Sequence, residues 1–192
     1  MEKGDIASVL FDEENHVYTY KGRKLNGITG LIGRKCGKSF PSNKDSLTNL
    51  MLKQSYGSQV HKEVERYFNE KKPITMLGSK WVLEQIDKFI ASKNLKEPSI
   101  KCEVRVSDFV NTASNVDIVI SNGEEIYIFD IKTGAFDRTY CTMQLNAYRL
   151  MYENCYNGKI AGMYVLGFID RRLYSIFNLS DDYVLEMLDE NI

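Results

Sequence analysis

The sequence lacks the features that mark secreted proteins, zinc knuckles and membrane proteins. Its 192 residues include only three prolines and four cysteines. No two cysteines form a Cys-x-x-Cys pair, which argues against a zinc knuckle or a disulfide framework. The longest apolar run, residues 160–169, is far shorter than the roughly 18 residues that a membrane helix needs, and no secretory signal precedes it. We therefore predict one domain over residues 1–192 that is cytoplasmic and does not bind a membrane.

The chain also lacks an excess of charge of either sign. It has 25 Lys and Arg residues against 26 Asp and Glu residues, a formal net charge of −1. A uniformly basic nucleic-acid-binding surface is excluded, so any anion site must be local. Residues 21–53 are the exception, because they contain eight basic residues and one acidic residue, Asp45, for a local charge of +7. Such a segment is either a solvated face or a surface that attracts phosphate.

The hydrophobic periodicity predicts an α/β fold. Short β-strands at 8–11 and 16–20, separated by turn residues, indicate an N-terminal β-hairpin or small meander. Amphipathic stripes predict helices at 57–68, 79–92 and 142–154, and Ser180 caps a short acidic helix near the C-terminus. Further strands are predicted at 101–106, 113–120, 125–132, 159–168 and 173–177.

Alternation along the predicted strands separates acidic from apolar side chains. The apolar faces comprise Cys102, Val104 and Val106 on one strand and Val116, Ile118 and Ile120 on the next. Glu103 and Asp117 then face away from those apolar sides. On the third strand, Asp130 and Lys132 share a face with isoleucines, so we expect these two side chains to project together.

Asp130 needs a partner, because a charged group among isoleucines is costly to bury unless something compensates for its desolvation. A strand-end salt bridge or a solvent-facing pair with Lys132 is one explanation. Another involves Asp117, on a neighbouring strand joined by a hairpin, which can come close to Asp130. Two neighbouring carboxylates repel each other unless a cation or a proton intervenes, and oxygen ligands suit Mg2+ or Mn2+.

Four motifs, in this order, resemble those of the PD-(D/E)XK nuclease superfamily in its RecB-like and phage-exonuclease branch. They are Gly57-Ser-Gln-Val-His61, Asn115-Val-Asp117, Phe129-Asp130-Ile131-Lys132-Thr133-Gly134 and Gln144-Leu-Asn-Ala-Tyr148. The N-terminal His16-Val-Tyr-Thr-Tyr-Lys-Gly22 segment is also similar to the start of related phage nucleases. One departure is Ser114, since the family often has glycine three positions before the first catalytic Asp. The resemblance covers most of the chain.

The resemblance implies a restriction-endonuclease-like core, with a mixed central β-sheet flanked by helices and an N-terminal β-hairpin. It also implies that His61, Asp117, Asp130 and the Ile131 main-chain carbonyl bind Mg2+ or Mn2+. Lys132 would then orient the attacking water or help to deprotonate it. Without the motif, His61 would more often be a hydrogen-bonded core residue.

Glu103, Gln144 and Tyr148 complete the catalytic and supporting candidates. Glu103 is a candidate catalytic residue, as an outer-shell group or as a ligand of a second metal ion. The family role of Gln144 and Tyr148 is to support the site and the DNA backbone, whereas packing against the sheet is their simpler explanation. The iron–sulfur members of this branch carry a downstream cysteine cluster, and no cysteine follows Cys155, so we expect no iron–sulfur cluster.

The function implied is that of a metal-dependent deoxyribonuclease, an exonuclease acting on DNA ends or single strands in phage or bacterial recombination and repair. A recombination or single-strand-annealing protein is a candidate partner. Arg34, Lys35 and Lys38 in the basic segment are candidates for contacts with DNA phosphates. A site-specific endonuclease and a non-catalytic DNA-binding or nuclease-complex subunit remain the alternatives.

Overall fold

A computed structural model describes residues 1–37, 44–123 and 125–189, with the backbone alone for 44–50. The strands are β1 (Val9–Asp12), β2 (Val17–Tyr20), β3 (Arg23–Gly27), β4 (Ser99–Ser107), β5 (Thr112–Ser121), β6 (Ile126–Lys132), β7 (Ile160–Gly167) and β8 (Arg172–Ile176). The helices are α1 (Ile28–Lys35), α2 (Lys44–Glu70), α3 (Leu77–Ser92), α4 (Arg138–Cys155) and α5 (Asp181–Leu188), and a 3-10 turn at Ile6–Ser8 precedes β1. No helix in these described ranges is long and apolar enough to cross a membrane.

The eight strands form one mixed sheet, which confirms the predicted α/β class with its N-terminal hairpin and flanking helices. The strand order is β1-β2-β3-β5-β6-β7-β8, and β4 pairs with β5. Two pairs, β3–β5 and β6–β7, are parallel, and the other neighbours are antiparallel. The hairpin continues into β3, so the N-terminal segment is a meander that joins the main sheet.

The sheet opens in the middle of β5. Strand β4 pairs along one edge of β5 from one end to the other. Since a strand has two edges, β3 and β6 share the second one: β3 pairs at Thr112 and Ala113, and β6 pairs from Ile118 to Ser121. The residues between these two contacts, 114–117, therefore lie where the sheet parts. Asp117 belongs to this interval.

Two hydrophobic clusters hold the sheet between helices. On one face, Leu145 and Met151 of α4 pack with Ile128 of β6, together with residues of α1 and α5. On the other face, α2 and α3 cover Phe129 and Ile131 of β6. Both faces of β6 are thus buried, as in the central strands of sheets covered by helices, and each buried large apolar side chain contributes about 1.5–3 kcal/mol.

Helix α1 was missed by the sequence analysis, and α2 begins well before the predicted residue 57. Two glycines, Gly30 and Gly33, lie inside α1, and each lowers intrinsic helix propensity by about 1 kcal/mol. Tertiary burial compensates, because Ile28, Leu31 and Ile32 all lie in the core. Local sequence periodicity does not report this packing.

The predicted single apolar face of β5 is wrong. Val116 packs in the cluster with α4, whereas Ile118 and Ile120 pack in the cluster with α2 and α3. The alternation of side chains is therefore reset between Val116 and Ile118. Asp117 lies at this switch and not simply on the polar side of a regular strand.

The predicted face of β4 is wrong for a related reason. Cys102 packs against the α2 and α3 cluster, and Val104 packs against the α4 cluster. Glu103, between them, has a φ of +53°, which is left-handed backbone that a non-glycine residue rarely adopts in a strand. This conformation breaks the period-two alternation. Such strained residues cluster at functional sites.

Candidate metal centre

A cleft of about 600 Å³ lies where the sheet opens. Its lining comes from the N-terminal hairpin, α2, β4, β5, β6 and α4. The sequence-predicted site residues that line it are His61, Glu103, Asp117, Asp130, Lys132, Gln144 and Tyr148. Residues that were predicted on five separate elements are thus brought to one cleft.

Three of these side chains form a candidate metal-binding cluster. His61 on α2, Glu103 on β4 and Asp117 on β5 each offer a ligand atom, and these atoms all lie within 4.8 Å of one another. Asp130 lies beside this cluster, where its carboxylate interacts with Lys132. Glu103, a candidate in the sequence for an outer-shell or second-metal role, is therefore a central member of the cluster.

The Gly-x-x-x-His motif has a clear geometric reason. Gly57 and His61 are four residues apart on α2 and so lie on one helix face. A Cβ atom on Gly57 would lie 3.0 Å from the Thr133 hydroxyl oxygen, so glycine lets the helix approach the loop that follows β6. His61 then reaches the strand end, with its Nε2 atom 3.1 Å from the Ile131 carbonyl oxygen.

Asp117 joins His61 to the backbone of β6. Its Oδ2 atom accepts a hydrogen bond from the Ile131 N–H at 2.6 Å, and its Oδ1 atom lies 3.4 Å from His61 Nδ1. Burial opposes ionisation of this carboxyl, but His61, Lys132 and the Ile131 N–H outweigh it and lower the pKa of Asp117. Asp117 is therefore an anion fixed in position at the switch point of β5.

The imidazole of His61 is held as a cation by its surroundings. Burial lowers the pKa of His61, but the carboxylates of Asp117, Glu103 and Asp130 more than reverse this effect and raise the pKa to about 9. The cluster thus contains one internal positive charge. A bound divalent cation would take over that charge and favour neutral His61, since a metal ligand must be deprotonated.

Ionisation of Glu103 is opposed by its surroundings. Burial and then the nearby Asp117 raise the pKa of Glu103 to about 7, although His61 and Asn115 act in the opposite direction. When Glu103, Asp117 and His61 are all ionised, the cluster carries a net charge of −1. The donor set therefore suits a hard divalent cation, and ligand atoms on opposite sides of one such ion are about 4–5 Å apart.

Asp130 and Lys132 project together, as the alternation of β6 predicts. Lys132 Nζ lies 2.9 Å from Asp130 Oδ1 and 2.7 Å from Oδ2, and it donates to Gln144 Oε1 at 3.1 Å. Burial raises the pKa of Asp130 against the opposing effect of Lys132. Asp130 and Asp117 raise the pKa of Lys132 against the opposing effect of burial, so the lysine is a positioned ammonium group.

Gln144 and Tyr148 extend this arrangement into the core. Because Gln144 Oε1 accepts from Lys132, its Nε2 atom is free to donate to the Tyr148 hydroxyl at 2.8 Å. The Ser114 hydroxyl lies 3.2 Å from the same Tyr148 oxygen. Ser114, which departs from the family's glycine, thus connects β5 to α4 by a hydrogen bond that glycine cannot make.

The basic candidates lie elsewhere. Arg34 and Lys35 occupy the last turn of α1, where basic side chains complement the helix dipole, and Lys35 Nζ donates to the Asp189 carbonyl at 2.7 Å. Neither lines the cleft as far as the described residues define it. Lys38 lies outside the described residues.

Asn115 is a cleft residue that the sequence analysis did not single out as functional. It lines the cleft, and its buried Oδ1 atom has no hydrogen-bond partner among the described residues. The one signal in the sequence was that Asn115 stands two residues before Asp117, whereas the unpartnered amide oxygen, which costs free energy, is visible only in the structure. Its neighbour across the strands is Arg105, which the sequence also did not identify as a candidate functional residue.

Comparison with known proteins adds little to this geometry. No protein-family model and no curated protein matches the chain significantly. One solved structure that the chain matches is the crystal structure of SSO0001, at 14% sequence identity and a TM-score of 0.42, covering 88% of this chain and 75% of that chain. A similarity this low carries no argument about function, so a proposal must rest on the residues of the cleft.

Proposed function

We propose that the protein is a divalent-metal-dependent deoxyribonuclease, an exonuclease that hydrolyses phosphodiester bonds at DNA ends. The observation that carries the proposal is the His61, Glu103 and Asp117 cluster beside the Lys132 ammonium group. A metal-binding cluster next to a positioned lysine is the combination that the resemblance to PD-(D/E)XK nucleases requires. The same resemblance suggests a role in phage or bacterial recombination and repair, with a recombination or single-strand-annealing protein as a candidate partner.

The cleft residues divide the chemical work between them. His61, Asp117, the Ile131 carbonyl and either Asp130 or Glu103 would hold Mg2+ or Mn2+, which supplies Lewis-acid stabilisation and lowers the pKa of bound water. Lys132 donates hydrogen bonds to Asp130 and Gln144, so its ammonium group has a fixed position. That group can orient the attacking water and stabilise the negative charge that develops on the phosphate.

The charge of the cleft supports metal dependence. The described lining contains five acidic side chains, Glu13, Glu65, Glu103, Asp117 and Asp130, and three lysine or arginine side chains, Lys62, Arg105 and Lys132. With the His61 cation counted, the acidic side chains exceed the basic ones by only one, so a bound divalent cation would give the cleft a net positive charge that attracts a phosphate. Contacts outside the cleft, through Arg34, Lys35 and Lys38, would supply sequence-tolerant attraction that weakens as salt is added.

A digestion experiment tests the proposal. Linear duplex DNA, linear single-stranded DNA and a covalently closed circle are incubated at equal nucleotide concentration with Mg2+, Mn2+ or EDTA. We expect mononucleotides or short products from linear DNA with metal only, and no hydrolysis by the Asp130→Asn variant. The Glu63→Gln variant, changed outside the cleft, should keep full activity.

The other outcomes identify the alternatives. Discrete fragments from the closed circle, formed as fast as products from linear DNA, would show a site-specific endonuclease. DNA binding without hydrolysis under any metal condition would show a non-catalytic DNA-binding or nuclease-complex subunit. Equal activity of wild type and Asp130→Asn would reject the assigned site.

A further inference from the structure

Three aromatic rings form a wall at the hairpin end of the same cleft. The aromatic wall consists of Phe11 on β1, Tyr18 on β2 and His16 in the turn between them, and all three line the cleft. The rings of Phe11 and Tyr18 are stacked, with centroids 4.4 Å apart and planes 22° apart. His16 meets the Phe11 ring edge-on at 5.2 Å. The wall is therefore ordered by its own ring contacts.

The aromatic wall is attached to the strand that carries Glu103. Arg105, two residues further along β4, donates to the Val9 carbonyl at 2.9 Å, and its guanidinium carbon lies 5.7 Å from the Phe11 ring centroid. Burial and then the Glu103 carboxylate raise the pKa of the Tyr18 hydroxyl to about 12, as expected if the phenol lies near the acidic cluster. The wall and the cluster are thus two ends of one continuous cleft.

The exposed part of the wall suits a neutral, planar group. Tyr18 is buried, Phe11 is half-buried and His16 is exposed, so the outer rings are those of His16 and Phe11. Glu13, in the turn beside them, also lines the cleft. A phosphate beside Glu13 would be repelled, whereas an uncharged aromatic ring would not.

We propose that the aromatic wall stacks against an unpaired base of the strand whose phosphate lies at the His61, Glu103 and Asp117 cluster. This inference rests on the proposed function and narrows its substrate to single-stranded or frayed ends. The cleft volume of about 600 Å³ lies within the range of sites that hold nucleotide-sized ligands. Base stacking on aromatic side chains is a sequence-tolerant means of holding a single strand.

Two variants remove rings with little change to the backbone. His16 has a φ of +53°, and asparagine tolerates this left-handed conformation better than most residues, so His16→Asn preserves the turn. Phe11→Leu keeps apolar volume against Tyr18 while removing the aromatic ring. Phe177→Leu is the matched control, because Phe177 is an exposed ring that does not line this cleft.

The experiment measures binding of short single-stranded oligonucleotides in Ca2+ by fluorescence anisotropy. One oligonucleotide is intact, and the others each lack one base near the end while keeping every phosphate. We expect His16→Asn and Phe11→Leu to weaken binding of the intact strand about tenfold. At one abasic position, the same variants should change binding little, because the stacked base is already missing. Phe177→Leu should match wild type on every strand.

Two results would overturn this inference, and they differ from each other. Equal losses of binding affinity on intact and abasic strands would mean that the aromatic wall has only a structural role. In that case the proposed function would still stand if the wild type bound and digested DNA. Failure of wild type to bind any strand in Ca2+ or Mn2+ would reject the proposed function together with the wall. If Phe11→Leu does not fold, the exposed His16→Asn position decides the result alone.

Discussion

Two glutamates, Glu63 at the junction between α2 and α3 and Glu103 in the cleft, differ in how the protein compensates their negative charge. At the junction, Glu63 on α2 accepts hydrogen bonds from the Thr75 N–H and hydroxyl, both at 2.7 Å, and from the Met76 N–H at 3.0 Å. Burial alone would raise the pKa of Glu63, but the hydrogen bonds from the start of α3 lower it to about 2. In the cleft, burial and Asp117 raise the pKa of Glu103 to about 7.

The difference separates a structural carboxylate, Glu63, from a candidate metal ligand, Glu103. The protein itself supplies every partner that the Glu63 carboxylate needs, so the charge stabilises the folded chain. Glu103 is held in left-handed backbone near a second carboxylate, so its charge destabilises the fold until a cation joins it. A carboxylate of the second kind is a candidate for a functional site.

The largest expected effect is on catalysis in the cleft. Asp117→Asn, Asp130→Asn and Lys132→Ala should each lower the rate of DNA hydrolysis by orders of magnitude, since each removes metal charge or water activation. Circular dichroism should show folded proteins, because these changes remove little core volume. Glu63→Gln, at the junction, should hydrolyse DNA at the wild-type rate. Wild-type activity in Asp130→Asn would contradict the assignment.

A second expectation concerns metal binding. Mn2+ should raise the melting temperature of wild type more than that of His61→Ala, because a ligand that binds only the folded state stabilises it, by about 2.7 kcal/mol at a hundred times Kd. Relief of carboxylate repulsion adds to the wild-type shift. Glu63→Gln should show the full wild-type shift. Equal shifts in wild type and His61→Ala would return His61 to the role of a core histidine.

The sequence predicts much of the site because its motifs are local. The alternation of β6 correctly placed Asp130 with Lys132, and the amphipathic stripe at 57–68 correctly placed His61 on a helix. These inferences need only the period of a strand or a helix. The pairing of β3 with the far end of β5, which opens the cleft, depends on contacts between distant segments and left no local signal.

The faces of β4 and β5 could not be predicted for a different reason. The left-handed φ of Glu103 resets the alternation, and glutamate is not a residue type that signals this conformation. Strict alternation therefore assigned Cys102 and Val104 to one face, whereas they contact different clusters. The error falls at the candidate metal centre, and local rules most often fail at functional or strained sites.

Glu63, at the junction between α2 and α3, should stabilise the fold only within a defined pH range. Glu63→Gln should lower the free energy of unfolding at pH 7 by about 1–2 kcal/mol, because it weakens hydrogen bonds to a charged acceptor that is partly screened by solvent. The folded pKa of about 2 lies below the unfolded value, so this stabilisation is present above about pH 4.5 and is lost as the pH falls towards 2. Urea unfolding between pH 2.5 and 7 measures the difference, and a constant difference would contradict the role of charge.

Glu103, in the cleft, should show the opposite dependence of stability on pH, with a smaller effect. The folded pKa of Glu103, about 7, lies above its unfolded value, so the stabilisation is full below about pH 4.5 and is lost as the pH rises through 7. Glu103→Gln removes that loss and should be more stable than wild type at pH 8, by about 1 kcal/mol, and equal to it near pH 4.5.

Saturating Mn2+ should cancel this advantage, because the cation favours the ionised wild type and leaves the amide unchanged. Urea unfolding at pH 4.5 and 8 in EDTA, repeated at pH 8 in Mn2+, measures the three differences. An advantage at pH 8 that survived Mn2+ would exclude Glu103 from the metal centre.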